Sequence, residues 1–278
     1  MKKYAYPSVL TIAGFDGSGG AGIQGDIKAI SALGCFATSV LTALPVQNTT
    51  GVKSIYPIPN QAVKQQLETI IDDIYPDAIK IGMVHNNDLV DSIHDFLLLH
   101  AAIPVVFDPV MVATSGHQLI NDETIQAVIE KIFPLAAIIT PNLDEASILA
   151  QMPIQTVKDM YKGGEKIQNL GVKNMLLKGG HLNAKELTSL FFSETGQVHE
   201  FHYEKYNTNN THGSGCTLSS AIASYLALGK SMEEAVALAQ DYVHLAISNA
   251  KDVKIGKGNG PLNHFFNPQK LIKNEMVN

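Results

Sequence analysis

Along most of this 278-residue chain, short runs of apolar and β-branched residues alternate with segments whose apolar residues recur every three or four positions. Alternation of that kind is the mark of βαβ units, because two parallel strands can be joined only by a crossover long enough to hold a helix. The pattern predicts strands at Ser8–Ala13, Thr38–Val46, Ala78–Met83, Pro104–Val110, Ala137–Thr140 and Asn174–Lys178. Between them it predicts helices at Asp26–Leu33, stopped by Gly34, at Gln61–Ile74 behind Asn60 as N-cap, at Asp88–Leu99 and at Glu123–Phe133. Leu187–Tyr203 reads as a hairpin turning at Thr195-Gly196, followed by helices at Cys216–Leu228 and Met232–Ala250. No repeat and no Pro/Gly/Ser linker divides the chain, so one α/β domain over residues 1–278 is expected. In such sheets ligands gather at the carboxyl ends of the strands.

Composition narrows the partners. The formal net charge is −6 and the 20 basic residues are dispersed, so no basic stripe exists to neutralise a nucleic-acid backbone. No apolar run approaches the ~20 residues of a membrane helix, and the first apolar run meets Gly14, Asp16 and Gly17 too early for a signal-peptide core. The two cysteines, Cys35 and Cys216, lie far apart in different surroundings, which speaks against a disulfide framework and for a reducing cytoplasm.

Gly17, Gly19 and Gly22 fall into the spacing G-x-G-x-x-G between a predicted strand and a helix. A dinucleotide fold also requires an acidic residue after the next strand to hold the ribose, and none occurs between Asp26 and Glu68. The glycines alone could serve a tight turn, but neither reading accounts for Asp16 and Asp26, which flank the loop. A stronger signal is Thr211-His212-Gly213-Ser214-Gly215-Cys216, which runs straight into an apolar helix. Free amides and the positive dipole end make such a helix start an anion site, suited to a transferring phosphoryl group. There the dipole is expected to draw the Cys216 thiol below its free value of ~8.5, making it a candidate base; the alternative is a small buried hydrophobe.

Three clusters stand at predicted strand ends. Asp108 closes VVFDPVM, where it could hold a metal or orient a proton. Asn142 and Glu145 follow Thr140 at i, i+3, as oxygen ligands for Mg²⁺ or as helix caps. Lys178 meets Gly179-Gly180, a cation against flexible backbone, consistent with phosphate. The Walker A pattern is absent, which excludes a P-loop enzyme, and the scattered histidines give no zinc spacing. His212 could touch a phosphate or fix the turn.

Taken together, LTIAGFDGSGGAGIQGDIKAISALG, TALPVQNTTGV, KIGMV, VFDPVM, ITPNLDEA, LLKGGH, NTHGSGCTLSSAIA and GKGNGPLNH resemble the hydroxymethylpyrimidine and phosphomethylpyrimidine kinases of thiamine biosynthesis, in the ribokinase-like superfamily. The resemblance covers nearly the whole chain in the family's order. It implies a three-layer α/β/α sandwich around a mostly parallel sheet, a cytoplasmic homodimer, and two successive transfers from ATP with Mg²⁺. The first makes the monophosphate of 4-amino-5-hydroxymethyl-2-methylpyrimidine, the second its diphosphate. It implies further that Gly14, Asp26 and Gln47 bind the pyrimidine, with Met83 and Val110 lining the pocket. The nucleotide side falls to Asp108, Thr140, Asn142, Glu145, Lys178 and Thr211, and Gly213, Gly215 and Cys216 surround the transferred phosphoryl. Many ribokinase-like sugar kinases carry Asp at the position of Cys216, and a thiol that stays neutral would not repel an acceptor already bearing phosphate. Phe15 and Gly17 depart from the family's usual loop, where a small or polar residue, often Pro or Ser, is expected. Pyridoxal is the alternative substrate, since pyridoxal kinases share the scaffold; Gln47-Asn48 favours the pyrimidine. An NAD-dependent oxidoreductase and a non-catalytic vitamin-binding protein are the wider alternatives.

Overall fold

A computed structural model describes residues 3–111, 120–180 and 186–276. In chain order the elements are β1 (Tyr4–Ala5), β2 (Ser8–Ala13), α1 (Gly22–Ala32), β3 (Phe36–Leu41), β4 (Ala43–Asn48), β5 (Gly51–Pro57), α2 (Asn60–Asp73), β6 (Ala78–Ile81), α3 (Asn87–Leu99), β7 (Val105–Phe107), α4 (Asp122–Lys131), β8 (Ile138–Ile139), α5 (Leu143–Ala150), α6 (Val157–Gln168), β9 (Met175–Leu177), β10 (Glu186–Phe192), β11 (Val198–Glu204), α7 (Ser214–Ala227), α8 (Met232–Ser248) and β12 (Asn274–Glu275).

Eight strands form the central sheet in the order β11-β10-β9-β8-β7-β6-β2-β3. From β3 to β9 all pairings are parallel, and the β10–β11 hairpin adds two antiparallel strands at one edge. Side chains alternate across the pleat, so each strand feeds two cores. Leu10, Ile12, Ile79 and Ile81 pack toward α2 to α6, while Val9, Ala78 and Val106 face α1, α7 and α8. Burial on both faces explains why these strands read as continuous apolar runs. The result is the three-layer α/β/α sandwich that the sequence led one to expect.

Two elements depart from the sequence pattern. The predicted strand Thr38–Val46 breaks at buried Thr42: β3 stays in the sheet, whereas β4 leaves it and pairs only with β5. Pro45 forces this, because a proline cannot donate to a central ladder. Helix α6 carries Gly163-Gly164 at its centre, which weakened its helical signal. A Cβ on Gly164 would collide with the ring of Phe192, so close packing requires the glycine that propensity disfavours. Thr156 and Asp159 cap the helix reciprocally.

Candidate active site

The carboxyl ends of β2, β6, β7, β8 and β9 all open on one edge of the sheet, and each delivers a polar or glycine residue there: Gly14, Gly82, Asp108, Thr140 and Lys178. Helix α7 enters the same edge. Its N-cap, Gly213, has φ +82°, and a Cβ there would strike the carbonyl oxygen of Gly20. Only glycine lets the two glycine loops stack backbone to backbone.

No side chain caps α7. Ser214 N donates to Thr211 O (3.1 Å) and Thr217 N to Gly213 O (2.8 Å), while the amides of Gly215 and Cys216 find no acceptor among the described residues. Lys178 Nζ lies 3.0 Å from Asp108 Oδ1, which also accepts from Thr140 Oγ1 at 3.0 Å. A Cβ on Gly215 would stand 3.2 Å from Lys178 Nζ and 3.6 Å from Asp108 Oδ2. Two open amides, a buried ammonium and a carboxylate thus converge on one spot. Burial works against ionisation of Asp108, but Lys178 and Lys80 hold it below its ordinary value.

Glu145 behaves differently. Burial first, and the nearby Asp108 charge second, push its carboxyl up to about 7 against the pull of Lys178. Asn142 and Glu145 form a capping box on α5: Asn142 N donates to Glu145 Oε2 (2.8 Å), and Asn142 Oδ1 accepts from Glu145 N (3.0 Å). Asn142 Oδ1 thus has one of its two lone pairs engaged at the helix start, and Asn142 orients Glu145.

The loop with the G-x-G-x-x-G spacing is closed by the protein's own carboxylate. Asp16 Oδ2 accepts from Gly20 N (3.1 Å), Ala21 N (2.7 Å) and His212 Nε2 (2.8 Å), and Oδ1 accepts from Ser18 N (2.9 Å) and Ser18 Oγ (2.7 Å). Burial disfavours the charge, yet hydrogen bonds from His212, Ser18, Ala21 and Gln47 keep Asp16 well below the usual carboxylate range. A dinucleotide phosphate has no room where an anion already sits. The helix begins at Gly22, four residues earlier than expected; no side chain caps it, and Asp16 holds the two amides just before it, of Gly20 and Ala21. His212 fixes the turn: its ring bonds Asp16, and its backbone N bonds Gly260 O at 3.1 Å.

Two expectations are corrected. Asp26 is fully buried and both its oxygens are taken, Oδ1 by Lys80 (3.0 Å) and Ser220 (2.8 Å), Oδ2 by Lys80 (2.8 Å) and Thr11 (2.6 Å). A carboxylate has about four acceptor positions, so none remains for a pyrimidine ring. The Cys216 thiol is not lowered. Burial, with Asp26 and Asp108, pushes it up to about 11, while Lys80 and a hydrogen bond from the Gly22 amide pull the other way. Cys216 is partly exposed at the cleft, yet the protein around it and the two carboxylates outweigh the helix dipole.

The remaining acceptor-side residues line a recess near the first loop. A Cβ on Gly14 would stand 3.4 Å from Met83 Cε, 3.7 Å from Ala43 O and 3.9 Å from Pro45 Cδ, so Gly14 brings the first loop against Met83 and the start of the hairpin. Gln47, half-buried at a register shift in the β4–β5 hairpin, lies close enough to Asp16 to help hold its carboxyl down. Val110, half-buried two residues after Asp108, donates its N to Asp108 O (2.8 Å). Phe15 N donates to Ala43 O (2.9 Å), tying the loop to β4. Thr211, exposed, ends the loop that precedes the anion site; beside it a cleft of about 420 Å³ is lined by Asn207–Asn210, Lys251 and Val253–Gly258. Of the quoted motifs, only His181 in LLKGGH lies outside the described residues.

Lys80 was missed from sequence. It is fully buried and lies toward the α1/α7 side, where the Asp26 charge first and Asp108 second hold it protonated against burial. The signal existed, a lone charge inside the apolar strand AIKI.

The comparisons with known proteins give the family. Residues 16–263 match the family model for phosphomethylpyrimidine kinase. The chain belongs to the phosphomethylpyrimidine kinase family. It is 43% identical over 257 residues to the hydroxymethylpyrimidine/phosphomethylpyrimidine kinase of Rhizobium meliloti, covering 92% of this chain and 96% of that one. It is 41% identical to a probable thiamine biosynthetic bifunctional enzyme of Oryza sativa, covering 95% of this chain but 49% of the relative; the chain spans about half the length of such bifunctional relatives. Among solved structures, a phosphomethylpyrimidine kinase from Clostridium difficile superposes with a TM-score of 0.76 at 41% identity, covering 86% of this chain and 99% of that one. The ADP complex of Bacillus subtilis pyridoxal kinase superposes with a TM-score of 0.87 at 33% identity, covering 94% and 98%. The fold is that of the ribokinase-like kinases.

Proposed function

We propose that this chain, as one ribokinase-like domain, uses ATP to phosphorylate 4-amino-5-hydroxymethyl-2-methylpyrimidine and then its monophosphate. The observation that carries the reading is the uncapped start of α7, with the open Gly215 and Cys216 amides beside Lys178 and next to the recess at Gly14 and Met83. An anion held there by preorganised donors is what phosphoryl transfer requires, since that chemistry is mostly positioning and charge stabilisation.

In the first transfer the hydroxymethyl oxygen bonds to the terminal phosphorus of ATP, the bond to the bridging oxygen breaks, and ADP leaves. The Gly215 and Cys216 amides and Lys178 take the charge on the moving group. The hydroxyl proton departs late, toward phosphate oxygens or water, because the Cys216 thiol at about 11 is a poor base near neutrality. In the second transfer the attacking atom is a phosphate oxygen and no proton need be removed. A neutral Cys216 suits that acceptor, where a carboxylate would repel it.

The nucleotide lies along Thr140 and Thr211 toward the cleft at Asn207–Asn210. Hard oxygen donors at Asp108 and Glu145 fit Mg²⁺, and the raised Glu145 carboxyl marks negative charge that the protein leaves incompletely balanced. Mg²⁺ would supply charge neutralisation on the phosphates; Asp108 Oδ2 and Glu145, oriented by Asn142, would hold it.

Pyridoxal is kept as a second acceptor because the pyridoxal kinases superpose with higher TM-scores than the phosphomethylpyrimidine kinase does. Exposed Leu44, Val46, Val52, Ile55 and Tyr56 on the β4–β5 hairpin support a homodimer, checked by light scattering. Two free cysteines and the absence of any described helix long and apolar enough to cross a membrane accord with a cytoplasmic enzyme. An ADP-release assay with Mg²⁺ and each of hydroxymethylpyrimidine, its monophosphate and pyridoxal tests the proposal; no turnover of any of the three overturns it.

A further inference from the structure

The β4–β5 hairpin carries Gln47 to the acceptor recess but belongs to no larger sheet, and every residue of β5 is exposed. A two-stranded ribbon of this kind is marginal alone, so beyond its buried base at Ala43 and Pro45 its position is set in part by what its tip touches. At the tip, Asn48 Oδ1 accepts from Thr50 N (2.8 Å) and Thr50 Oγ (2.6 Å), which turns Thr49 outward. Thr49 is then held by three consecutive amides from a distant segment. Its Oγ accepts from Lys257 N and Gly258 N, both at 3.2 Å, and its backbone oxygen accepts from Asn259 N at 3.0 Å. A Cβ on Gly256 or Gly258 would collide with Thr49, so GKGNG fits the tip by lacking side chains.

That same segment forms one wall of the cleft at Asn207–Asn210. Beyond Asn259 it bonds the anion loop through His212 N to Gly260 O (3.1 Å), and His212 in turn holds Asp16, near which the Gln47 side chain lies. One route thus joins cleft wall, hairpin tip and acceptor recess.

We infer that Thr49 is a positioning residue that latches the acceptor-side hairpin to the nucleotide-side loop, so that filling the cleft tightens binding of the acceptor. The inference rests on the kinase reading above. A nucleotide packed against residues 253–258 orders the loop whose amides receive Thr49, and the ordered tip sets Gln47 over the recess; the second ligand then loses less freedom on binding.

Calorimetric titration of the full chain with hydroxymethylpyrimidine, alone and with a non-hydrolysable ATP analogue and Mg²⁺, tests it. In the parent protein the analogue is expected to lower the acceptor Kd about 5-fold or more. Thr49→Val, which lacks the accepting oxygen but keeps the shape, should bring that factor close to 1 while leaving the acceptor Kd without nucleotide within about 2-fold, and Thr49→Ser should restore it. Hydrogen exchange of residues 44–56 should slow on adding the analogue alone in the parent and not in Thr49→Val. A coupling factor that is equal in the parent and Thr49→Val, or no coupling in the parent, overturns the latch and leaves the kinase reading intact. If neither ligand binds the parent, the kinase reading falls and the latch with it.

Discussion

Two glycine loops face each other across this site, each leading into a helix, and their sequences are alike: GFDGSGGAG before α1 and THGSGC before α7. The first is filled, because the Asp16 carboxylate occupies the amides of Gly20 and Ala21; the second is open at Gly215 and Cys216. A glycine pattern alone thus specifies a turn and not a ligand. What decides between a structural joint and a binding site is whether an acidic side chain within reach already takes the amides of the loop that leads into the helix. The two loops also depend on each other, since Gly213 lies against Gly20 and His212 bonds Asp16.

The largest effect is expected at the open loop. Gly215→Ala places a methyl about where the phosphoryl group is to bind, beside Lys178 and Asp108. By blocking that spot it should lower kcat by about 10²–10³-fold, as much as losing one oxyanion donor would, while thermal unfolding changes little, since only the flexible end of Lys178 must give way. Retention of full kcat would show that the anion does not sit there.

Next comes the charge that the open side leaves unbalanced. The Glu145 carboxyl is raised in the folded state above its unfolded value of 4.5, so its contribution to stability is fully present below about 4.5 and is lost as pH rises toward about 7. Glu145→Gln keeps the capping-box geometry and stays neutral. Relative to the parent, it should gain up to about 3 kcal/mol between pH 5 and pH 8 in urea titrations without ligand. A pH-independent difference would contradict the assignment.

At the filled loop, Asp16→Asn should destabilise the fold by about 1–3 kcal/mol, the cost of leaving buried donors poorly paired. Asp16→Ala should convert that loop into an anion site, so that inorganic phosphate raises the variant's Tm more than the parent's. Equal shifts would mean that the two helix starts differ for another reason.

The smallest effect is a rate profile. Alkylation of Cys216 by iodoacetamide, followed by mass spectrometry, should rise with a midpoint near 11 in the ligand-free protein. A midpoint below 8.5 would restore the thiolate that helix position alone suggests.

Much of the site could be read directly because strand periodicity predicts where each strand ends, and the chemistry stands there. Asp108, Thr140 and Lys178 come to one edge for that reason, and Gly14 and Met83 meet as neighbouring strand ends. Lys80, Thr11 and Ser220 were not legible as a group, since they lie 69 and more residues apart in part and share nothing but the buried Asp26 carboxylate. Asp26 itself stood in a ligand-like motif, yet its partners arrive from three other elements and leave it no free oxygen. The latch at Thr49 was equally hidden, since its partners follow it by more than 200 residues.

The sequence by itself determined the alternating elements, the parallel sheet they must form, the polar residues at its carboxyl edge and the family to which the motifs point. Those follow from local periodicity and from which residue types stand at strand ends. Only the tertiary structure decided which glycine loop is open, that Cys216 stays a neutral thiol, and that Asp26 anchors Lys80 in place of a ligand. Each of those outcomes depends on burial and on charges brought from distant parts of the chain, and neither quantity is set by a residue's neighbours in sequence.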